Sequence, residues 1–479
     1  MARDNGGIIG VTNNPTSSTA SGVWDIDSQY QARVGDNWPA TLFFSKNSLR
    51  FNSASTDYLS RTMASVGNMQ AWTVSVWVKR SELSGQHMIF SAYNNSSNNT
   101  ECFFEGSGQL NFRDLESGSF MFQKKTTQLF RDTSAWYHLV FSSASGAQKI
   151  YVNGVEVTSF ATDTNGSGTS TWNNDKLHTI GVNSTTSSDK FGGYMSELIS
   201  VDGQTLTPSS FGQLNSDGVW TPKKYAGTYG TNGFLLQFGN SAALGTDSSS
   251  NGLNFAATNL TSIDQSTDYP EVNFATFNPL FPSVNFLSQG NLELTNAASS
   301  WKSAYSTIAV TKGKWYFELK VLNSTSDNIS LGVCEVSQSL TAQYLGFTNR
   351  SYSYNSNGYV YTSNNSVGSQ HATYGQNDII GCAVDFDNNK IYFHKNGTYI
   401  NSGDPTSGAT GTGSLFNMTD GYDYFLSGAS YNYNFAFNFG SPSYAISSGN
   451  ADANGYGNFE YAVPSGYYSL NTKNLGEFG

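Results

Sequence analysis

Residues 72–79 read Trp72-Thr73-Val74-Ser75-Val76-Trp77-Val78-Lys79, an alternation of apolar and mainly polar side chains with a period of two. Successive side chains of a β-strand point to opposite faces of its sheet, so this period predicts a strand with Trp72, Val74, Val76 and Val78 on one face. Valine and tryptophan are also residues that strands favour. Similar segments follow along the chain, and together they predict an all-β protein.

Hairpin signals appear in both halves of the chain. The pair Asn153-Gly154 stands between two apolar segments, and Asn396-Gly397 does the same further on. These pairs are typical of type I′ turns, in which both central residues need positive φ. Residues 314–320 are predicted to form a strand in the second half of the chain, with Trp315, Phe317 and Leu319 pointing inward. Strands at this spacing predict sandwiches or barrels.

The composition excludes several classes of protein. Only 12% of the 479 residues are charged and 14% are aromatic, while Ser, Thr, Asn and 48 Gly supply the polarity. Those polar residues favour turns over helix interiors, and the aromatic residues provide apolar surface for a folded core. A formal net charge of −11 disfavours nucleic-acid binding. No apolar run reaches the ~20 residues of a membrane span, and residues 1–10 show no secretory apolar core.

Motifs of catalysis and metal binding are weak. Cys102, Cys334 and Cys382 are scattered without a CxxC spacing, so we expect them to be buried apolar residues. Asp385-Phe386-Asp387 puts two carboxylates on one strand face, but it leads into a hairpin, which favours a turn over a catalytic pair. His138 lies on a predicted strand and is expected to pack there. We therefore assign no catalytic residue, no metal ligand and no cofactor, and predict that the chain is not an enzyme.

The pattern divides the chain into five parts. They are an irregular segment 1–40, a β domain 41–240, a linker 241–284, a second β domain 285–445 and a C-terminal extension 446–479. The first segment carries Trp24, Tyr30 and Trp38. A free tail gains nothing from exposed tryptophans, so these residues are candidates for docking on a partner. Folding back onto the first domain is the alternative.

Both β domains resemble known families. The first resembles the concanavalin A-like, laminin G-like jelly-roll lectins through residues 49–59, 72–78, 136–140, 153–154 and 191–198. The second resembles SPRY domains through residues 313–318, 329–333, 377–387 and 391–397. The resemblance implies two tandem concanavalin A-like β-sandwiches behind an irregular N-terminal docking segment. Laminin G-like domains often hold calcium at the rim, which makes structural calcium near Asp57 or Asp114 an open alternative.

Shorter motifs resemble virion structural proteins of tailed bacteriophages, marine and cyanobacterial ones in particular. They are residues 22–39, 273–280 and 457–467. The resemblance implies a tail fibre, spike or capsid-surface fibre that is assembled in the host cytoplasm and placed on the tail or capsid surface. It also implies a homo-oligomer, a trimer, that attaches to other virion proteins through its N-terminal segment and does not insert into a membrane.

Two polar loops are candidate ligand-binding sites. Aromatic rings and amide side chains on a rigid sandwich recognise sugars and protein surfaces. The candidate residues are Tyr93, Asn94, Asn95, Asn98 and Asn99 in one loop and Arg350, Tyr352, Tyr354, Asn355 and Tyr359 in the other. The alternatives are a solvated hairpin tip for the first loop and, for Tyr352, Tyr354 and Tyr361, a place in the core.

The expected function is recognition of a host-surface glycan or protein, with many copies on one particle raising avidity. Three alternatives remain. The chain is a structural cement, decoration or scaffold protein without receptor binding, a glycan depolymerase, or a bacterial surface adhesin. The missing signal peptide disfavours the last of these.

Overall fold

The computed structural model describes residues 28, 31–32, 46–184, 188–281, 286–323, 328–339 and 342–479. Trp24, Tyr30 and Trp38, the predicted docking residues, lie outside this part of the chain. The described residues form two antiparallel β-sandwiches, which confirms the predicted fold class. Helices in the same residues are short, and none is long and apolar enough to cross a membrane.

The first sandwich and a hairpin beside it contain the N-terminal strands. In chain order these are β1 (Ser48–Phe51), β2 (Tyr58–Thr62), β3 (Trp72–Arg80), β4 (His87–Asn95), β5 (Asn98–Phe104), β6 (Gln109–Glu116), β7 (Ser119–Leu129), β8 (Tyr137–Ala144), β9 (Ala147–Val152), β10 (Val155–Glu156), β11 (Phe160–Thr164), β12 (Leu177–Ile180), β13 (Gly193–Asp202), β14 (Gly212–Leu214), β15 (Trp220–Pro222), β16 (Phe234–Leu236), β17 (Ala256–Thr258) and β18 (Gln265–Ser266). Sheet I has the order β10-β9-β8-β3-β13-β1-β18, with β16 also paired to β13. Sheet II has the order β11-β7-β6-β5-β4-β12-β2-β17, and β14 pairs with β15 alone.

Strand β3 runs through the middle of sheet I. Its side chains Trp72, Val74, Val76 and Val78 are fully buried in the core between sheets I and II, as the alternation predicts. The opposite face is buried as well, including Trp77 and Lys79. Sheet I is therefore covered on both faces, by sheet II on one and by other parts of the chain on the other.

The second sandwich contains the remaining strands. They are β19 (Leu287–Ser288), β20 (Glu293–Thr295), β21 (Trp301–Val310), β22 (Lys314–Asn323), β23 (Ile329–Glu335), β24 (Ser351–Asn355), β25 (Val360–Thr362), β26 (Asn365–Val367), β27 (Ile379–Asp385), β28 (Lys390–Lys395), β29 (Thr398–Tyr399), β30 (Phe416–Asn417), β31 (Tyr424–Tyr431), β32 (Asn434–Asn438) and β33 (Tyr468–Ser469). Sheet III has the order β19-β20-β32-β22-β27-β28-β29, with β30 on β28 and β33 on β22. Sheet IV has the order β21-β31-β23-β24-β25-β26. Trp315, Phe317 and Leu319 point into the core between them, as predicted.

Short helices complete the described chain. The 3₁₀ turns are Pro208–Ser210, Ser262–Asp264, Val336–Gln338, Ile400–Ser402 and Pro405–Thr410, and the α-helix α1 is Thr472–Phe478. Asn471 begins α1, because its side chain accepts hydrogen bonds from the backbone N–H groups of Lys473 and Asn474.

The two predicted hairpin turns are present. Asn153 and Gly154 have φ of 47° and 86° and connect β9 to β10. Asn396 and Gly397 have φ of 48° and 83° and connect β28 to β29. Positive φ at both central residues is the conformation that type I′ turns require. Gly154 has a second role, because a Cβ atom there would lie 2.9 Å from the ring of Trp220.

Residues 241–281 lie against the sandwiches, although the sequence pattern predicts a linker for 241–284. Strand β17 extends sheet II beside β2, and β18 extends sheet I beside β1. The C-terminal extension likewise adds β33 to sheet III, parallel to β22. Strands β17, β18 and β33 have only two or three residues each and show no strand period in the sequence. Their pairing with longer strands is what reveals them.

A row of polar side chains on sheet I binds the second sandwich. Arg50, Tyr194 and Lys79 are paired across β1, β13 and β3 and point away from the first core. The Arg50 guanidinium donates to the carbonyl oxygen of Pro442 (3.1 Å), and the Tyr194 hydroxyl donates to that of Gly290 (2.9 Å). The two sandwiches are therefore joined by specific hydrogen bonds of buried groups.

Lys79 is the most heavily bonded member of this row. Its ammonium contacts the Asp268 carboxylate at 2.8 Å, the Asn273 side-chain oxygen at 2.7 Å and the Phe274 carbonyl oxygen at 3.0 Å. Both members of the Lys79–Asp268 pair are 1% exposed. Trp136 Nε1 donates to the other oxygen of Asp268 at 3.2 Å. This buried ion pair fixes residues 268–274, which we call the connecting segment, on sheet I.

Candidate functional site

A cleft of about 670 Å³ opens where the first sandwich meets the connecting segment and the C-terminal helix. Four parts of the chain line it: the outer face of sheet I, the β14–β15 hairpin, the segment around Glu271, and α1. The side chains used in the argument below are Trp77, Trp136, Asp217, Trp220, Glu271, Lys473 and Glu477. We call this the junction cleft.

Three tryptophans form the wall of the junction cleft on the side of the first sandwich. Trp77 and Trp136 are almost completely buried, and Trp220 is half-buried. Trp220 is placed by β15, and its ring lies against Gly154 of the β9–β10 turn and Gly212 of β14. Neither position leaves room for a Cβ atom, so the hairpin and the turn together hold the indole in one orientation.

His138 stands between two of these rings. Its imidazole stacks on Trp77 at 4.7 Å between ring centroids and meets the edge of Trp220, whose ring centroid lies 6.0 Å away. Trp220 Nε1 donates to Nδ1 of His138 at 2.9 Å, so the imidazole is the Nε2–H tautomer and donates to the Ser75 hydroxyl at 2.8 Å. Burial lowers the pKa of His138 to about 3. The residue is neutral and structural, as predicted.

Charge in the junction cleft is predominantly negative. Asp217, Glu271 and Glu477 supply carboxylates, and Lys473 supplies the opposing ammonium. Burial raises the pKa of Glu271, and the neighbouring Lys473 partly offsets this effect. Tryptophan faces beside an excess of carboxylates suit a neutral or cationic group and repel an anionic one.

The first predicted loop is a hairpin tip between β4 and β5. Asn94 and Asn95 are exposed, Tyr93 and Asn98 are half-buried, and Asn99 is buried. The Asn95 side-chain oxygen accepts hydrogen bonds from the backbone N–H of Ser97 at 3.0 Å and from Asn98 Nδ2 at 2.8 Å. These amides stabilise the turn itself, which corresponds to the alternative of a solvated tip.

The second predicted loop is divided among different environments. Tyr352 and Tyr354 are 4% and 0% exposed in the second core, because β24 alternates and these two positions face inward. Their burial removes them from any surface ligand. Asn355 is buried too, and its side-chain amide lies 3.0 Å from the Ser353 hydroxyl.

Arg350 and Tyr359, the other residues predicted in that loop, lie apart. The Arg350 guanidinium bonds to Glu335 at 3.2 Å and stacks over Tyr422 at 4.2 Å from the ring centroid. Tyr359 is half-buried next to Tyr361, with 6.5 Å between their ring centroids. The five residues predicted in the second loop therefore do not share one surface, because Tyr352, Tyr354 and Asn355 are buried.

The acidic residues considered for catalysis or calcium binding accept hydrogen bonds that stabilise turns and strands. Asp385 accepts from the backbone N–H of Asn388 at 2.9 Å and pairs with Lys314, so the turn interpretation is confirmed. Asp57 accepts from the backbone N–H of Asn52 and from Ser55. Asp114 accepts from Thr100 and Ser170. Among the described residues, no three or more His, Cys, Asp or Glu side chains form a group suited to a metal ion.

The cysteines behave as predicted. Cys102, Cys334 and Cys382 are free and buried, and burial raises the pKa of each thiol. A thiol with a raised pKa is rarely ionised and is a poor nucleophile.

Local sequence patterns missed the junction cleft. Its residues come from positions 77 to 477, and each by itself reads as an ordinary strand, turn or tail residue. The exposure of Leu214 and Val219 in the adjoining hairpin, 63% and 57%, is likewise visible only in the structure.

Comparisons with known proteins support both sandwiches separately. Residues 52–210 match the family described as "Concanavalin A-like lectin/glucanases superfamily", and residues 314–418 match the SPRY domain family. A curated relative, the Ran-binding proteins 9/10 homolog of Drosophila melanogaster, is 31% identical over 121 residues. That match covers 23% of this chain and only 12% of the relative's length.

Two solved structures illustrate the similarity. The SPRY domain of human HERC1 is 16% identical, with a TM-score of 0.27, and the match covers 34% of this chain and 96% of that one. Domains LG4–5 of the mouse laminin α1 chain are 10% identical, with a TM-score of 0.30, and cover 80% of this chain and 83% of theirs. Laminin G-like and SPRY domains are typically non-catalytic binding modules. The two family matches place a concanavalin A-like, laminin G-like domain at residues 52–210 and a SPRY domain at residues 314–418 of this chain.

Proposed function

We propose that this chain is a non-catalytic recognition protein that binds a host-surface glycan or protein at the junction cleft. The observation that carries the proposal is the cleft itself, with three tryptophans facing an excess of carboxylates. Ligand sites prefer domain interfaces, and about 670 Å³ lies within the ordinary range for such sites. The buried Lys79–Asp268 pair keeps the cleft walls in place before a ligand arrives, which lowers the entropic cost of binding.

The chemistry of the cleft narrows the ligand. Trp220 offers an indole face, and Asp217, Glu271 and Glu477 accept hydrogen bonds. An uncharged sugar, an amino sugar or a lysine-bearing protein loop meets these requirements. A sulfated or phosphorylated ligand does not, because it would face like charges.

The proposed place of action is the surface of a tailed-phage virion. The support is the resemblance of residues 22–39, 273–280 and 457–467 to virion proteins, together with a chain low in charge. In this proposal residues 1–40 dock on other virion proteins, and the chains assemble as trimers. A chain lacking residues 1–40 should then no longer sediment with particles that retain the full chain. Equal sedimentation of both chains would contradict the docking role.

The binding proposal is tested with the full chain on a printed array of bacterial lipopolysaccharides, capsular polysaccharides and peptidoglycan fragments. Trp220→Ala and the milder Glu271→Gln should each weaken binding by about tenfold, which corresponds to ~1.4 kcal/mol. Leu129→Ala is the control, because Leu129 is 46% exposed on sheet II, away from the cleft.

Three outcomes contradict the proposal in different ways. Binding that survives both cleft variants overturns the assignment of the cleft. A full chain that binds nothing on the array favours the structural cement or scaffold alternative. Release of reducing sugar from a bound polysaccharide favours the depolymerase alternative.

A further inference from the structure

A second aromatic surface lies on the outer face of sheet IV, in the SPRY domain. It is formed by Tyr431, Trp301, Tyr344, Tyr361 and Tyr359, which we call the aromatic row. Consecutive ring centroids along it are separated by 6.1, 5.6, 5.4 and 6.5 Å. All five side chains are half-buried. Each ring packs against its neighbour and still has surface exposed to solvent.

The pairing of the strands explains why these rings share one face. Trp301 and Tyr431 are opposite each other on β21 and β31 at one edge of sheet IV. Tyr361 is opposite Ser353 at the other end, while the neighbouring pair, Tyr354 and Val360, points into the core. Alternation therefore places Tyr361 outward together with the outward residues of β21 and β31.

Small residues in the middle of sheet IV leave room for a loop. Three serines of the sheet hold the loop 342–349 through its backbone. Ser303 donates to the carbonyl oxygen of Gln343 at 2.8 Å and Ser353 to that of Leu345 at 2.6 Å. The Ser351 hydroxyl accepts from the backbone N–H of Gly346 at 2.8 Å.

Leu345 anchors this loop, because it is 1% exposed and packs on the sheet. Tyr344 is thereby held between Trp301 and Tyr361, and it donates to the Asn364 side-chain oxygen at 2.5 Å. Asn357 Nδ2 donates to the Tyr361 hydroxyl at 3.1 Å. The rings are thus oriented by the sheet, the loop and two amide side chains.

The chemistry around the aromatic row differs from that of the junction cleft. Segments 342–349, 357–367 and 427–434, which supply four of the five rings, contain no Asp, Glu, Lys or Arg. The nearest charge along the chain from the fifth ring, Trp301, is Lys302, whose ammonium lies over the Phe286 ring at 5.5 Å. The segments that supply the row offer aromatic rings, hydroxyls and amides, and four of the five rings come from segments without a charged residue.

We propose that the aromatic row is a second binding site, for an uncharged glycan chain of several sugar units. Aromatic faces contact the apolar C–H faces of sugars, and hydroxyl and amide groups pair with sugar hydroxyls. A row of five rings matches an extended chain of sugars better than a single ring. The low charge of the segments that carry the row weakens the attraction that anionic glycans, nucleic acids and charged peptides rely on. This inference deepens the proposed recognition function and rests on it.

The test is affinity electrophoresis of the full chain in gels that contain dextran, laminarin, mannan or galactan, four uncharged polysaccharides. At least one of them should retard the protein. Tyr344→Ala and Tyr359→Ala should each reduce the apparent affinity about tenfold. Tyr422→Ala is the matched control, because Tyr422 is a 38% exposed tyrosine of the same domain outside the row. Circular dichroism of each variant verifies that it is folded.

The salt dependence of binding distinguishes the aromatic row from the junction cleft. Binding to an uncharged row should change little between about 0.05 and 0.5 M NaCl, because no ion pair is screened. Retardation by none of the four polysaccharides overturns the aromatic row, and so does retardation that survives both row variants. The wider recognition function fails separately, when the full chain also binds nothing on the bacterial-surface array. A third outcome is binding on the array that depends on Trp220, with no retardation in any gel. This outcome supports the recognition function and excludes the aromatic row as a second site.

Discussion

Replacing Lys79 with methionine should uncouple the connecting segment from sheet I. Methionine keeps most of the length and apolar volume of the lysine stem but removes the ammonium that contacts Asp268, Asn273 and the Phe274 carbonyl. Asp268 is 1% exposed, so its carboxylate would remain buried without its cation. Removing one member of a buried pair costs about 3 to 5 kcal/mol. We expect a loss of free energy of unfolding in that range.

The assay is differential scanning calorimetry at neutral pH, with the urea dependence of tryptophan fluorescence as a second readout. Because the pair fixes the connecting segment on sheet I, the Lys79→Met protein should begin to unfold at a lower temperature than the parent chain. Lys149→Met is the control, since Lys149 and Glu156 are 47% and 41% exposed and such pairs contribute about 0 to 1 kcal/mol. A Lys79→Met protein as stable as the Lys149→Met protein would refute the reasoning.

Three further perturbations follow from the cores and their buried titratable groups. Phe317→Ala should cost about 3 to 5 kcal/mol in denaturant unfolding, because Phe317 is fully buried and stacks on a second ring, and a loss below about 1 kcal/mol would contradict its core position. Burial lowers the pKa of His138 and His394 to about 3 and of His178 to about 4, so stability should fall as pH drops below ~6.5, where the unfolded chain takes up these protons. A His138→Gln protein should lose less stability than the parent chain between pH 6.5 and 4 in thermal unfolding, and an unchanged slope would count against this cause. Burial raises the pKa of Asp114 to about 7, so Asp114→Asn should stabilise the chain more at pH 8 than at pH 5, and the opposite order would show that the charge is favourable.

The sequence predicts the fold wherever one strand side faces a core. Trp72, Val74 and Val76 show the period of two because their side chains alternate with residues outside the first core. The Asn153-Gly154 turn is equally legible, since positive φ at two adjacent residues restricts the residue types. Strands β17 and β18 are not legible, because three and two residues paired at a sheet edge carry no measurable period.

Local sequence patterns also do not reveal which residues form the two proposed sites. The loop predictions rest on composition, and composition does not distinguish Tyr354, fully buried on an inward strand position, from Tyr359, half-buried on the outer face. Knowing the strand register separates the two at once. The junction cleft depends on still longer-range information, because Trp220 and Lys473 come together only through the packing of a hairpin and a C-terminal helix.

The way the two sandwiches are joined bears on the proposed recognition function. A purely apolar contact tolerates sliding, whereas the row Arg50, Tyr194 and Lys79 bonds to particular oxygen atoms and so specifies one orientation. The cleft and the aromatic row are then held at a fixed separation. A glycan that reaches both sites binds the second without the entropy loss that a flexible linker imposes, and its avidity exceeds either affinity only when its length matches that separation. Under the two proposals made above, rigidity at the junction therefore makes the binding of one glycan to both sites depend on its length, which a flexible tandem of the same domains would not do.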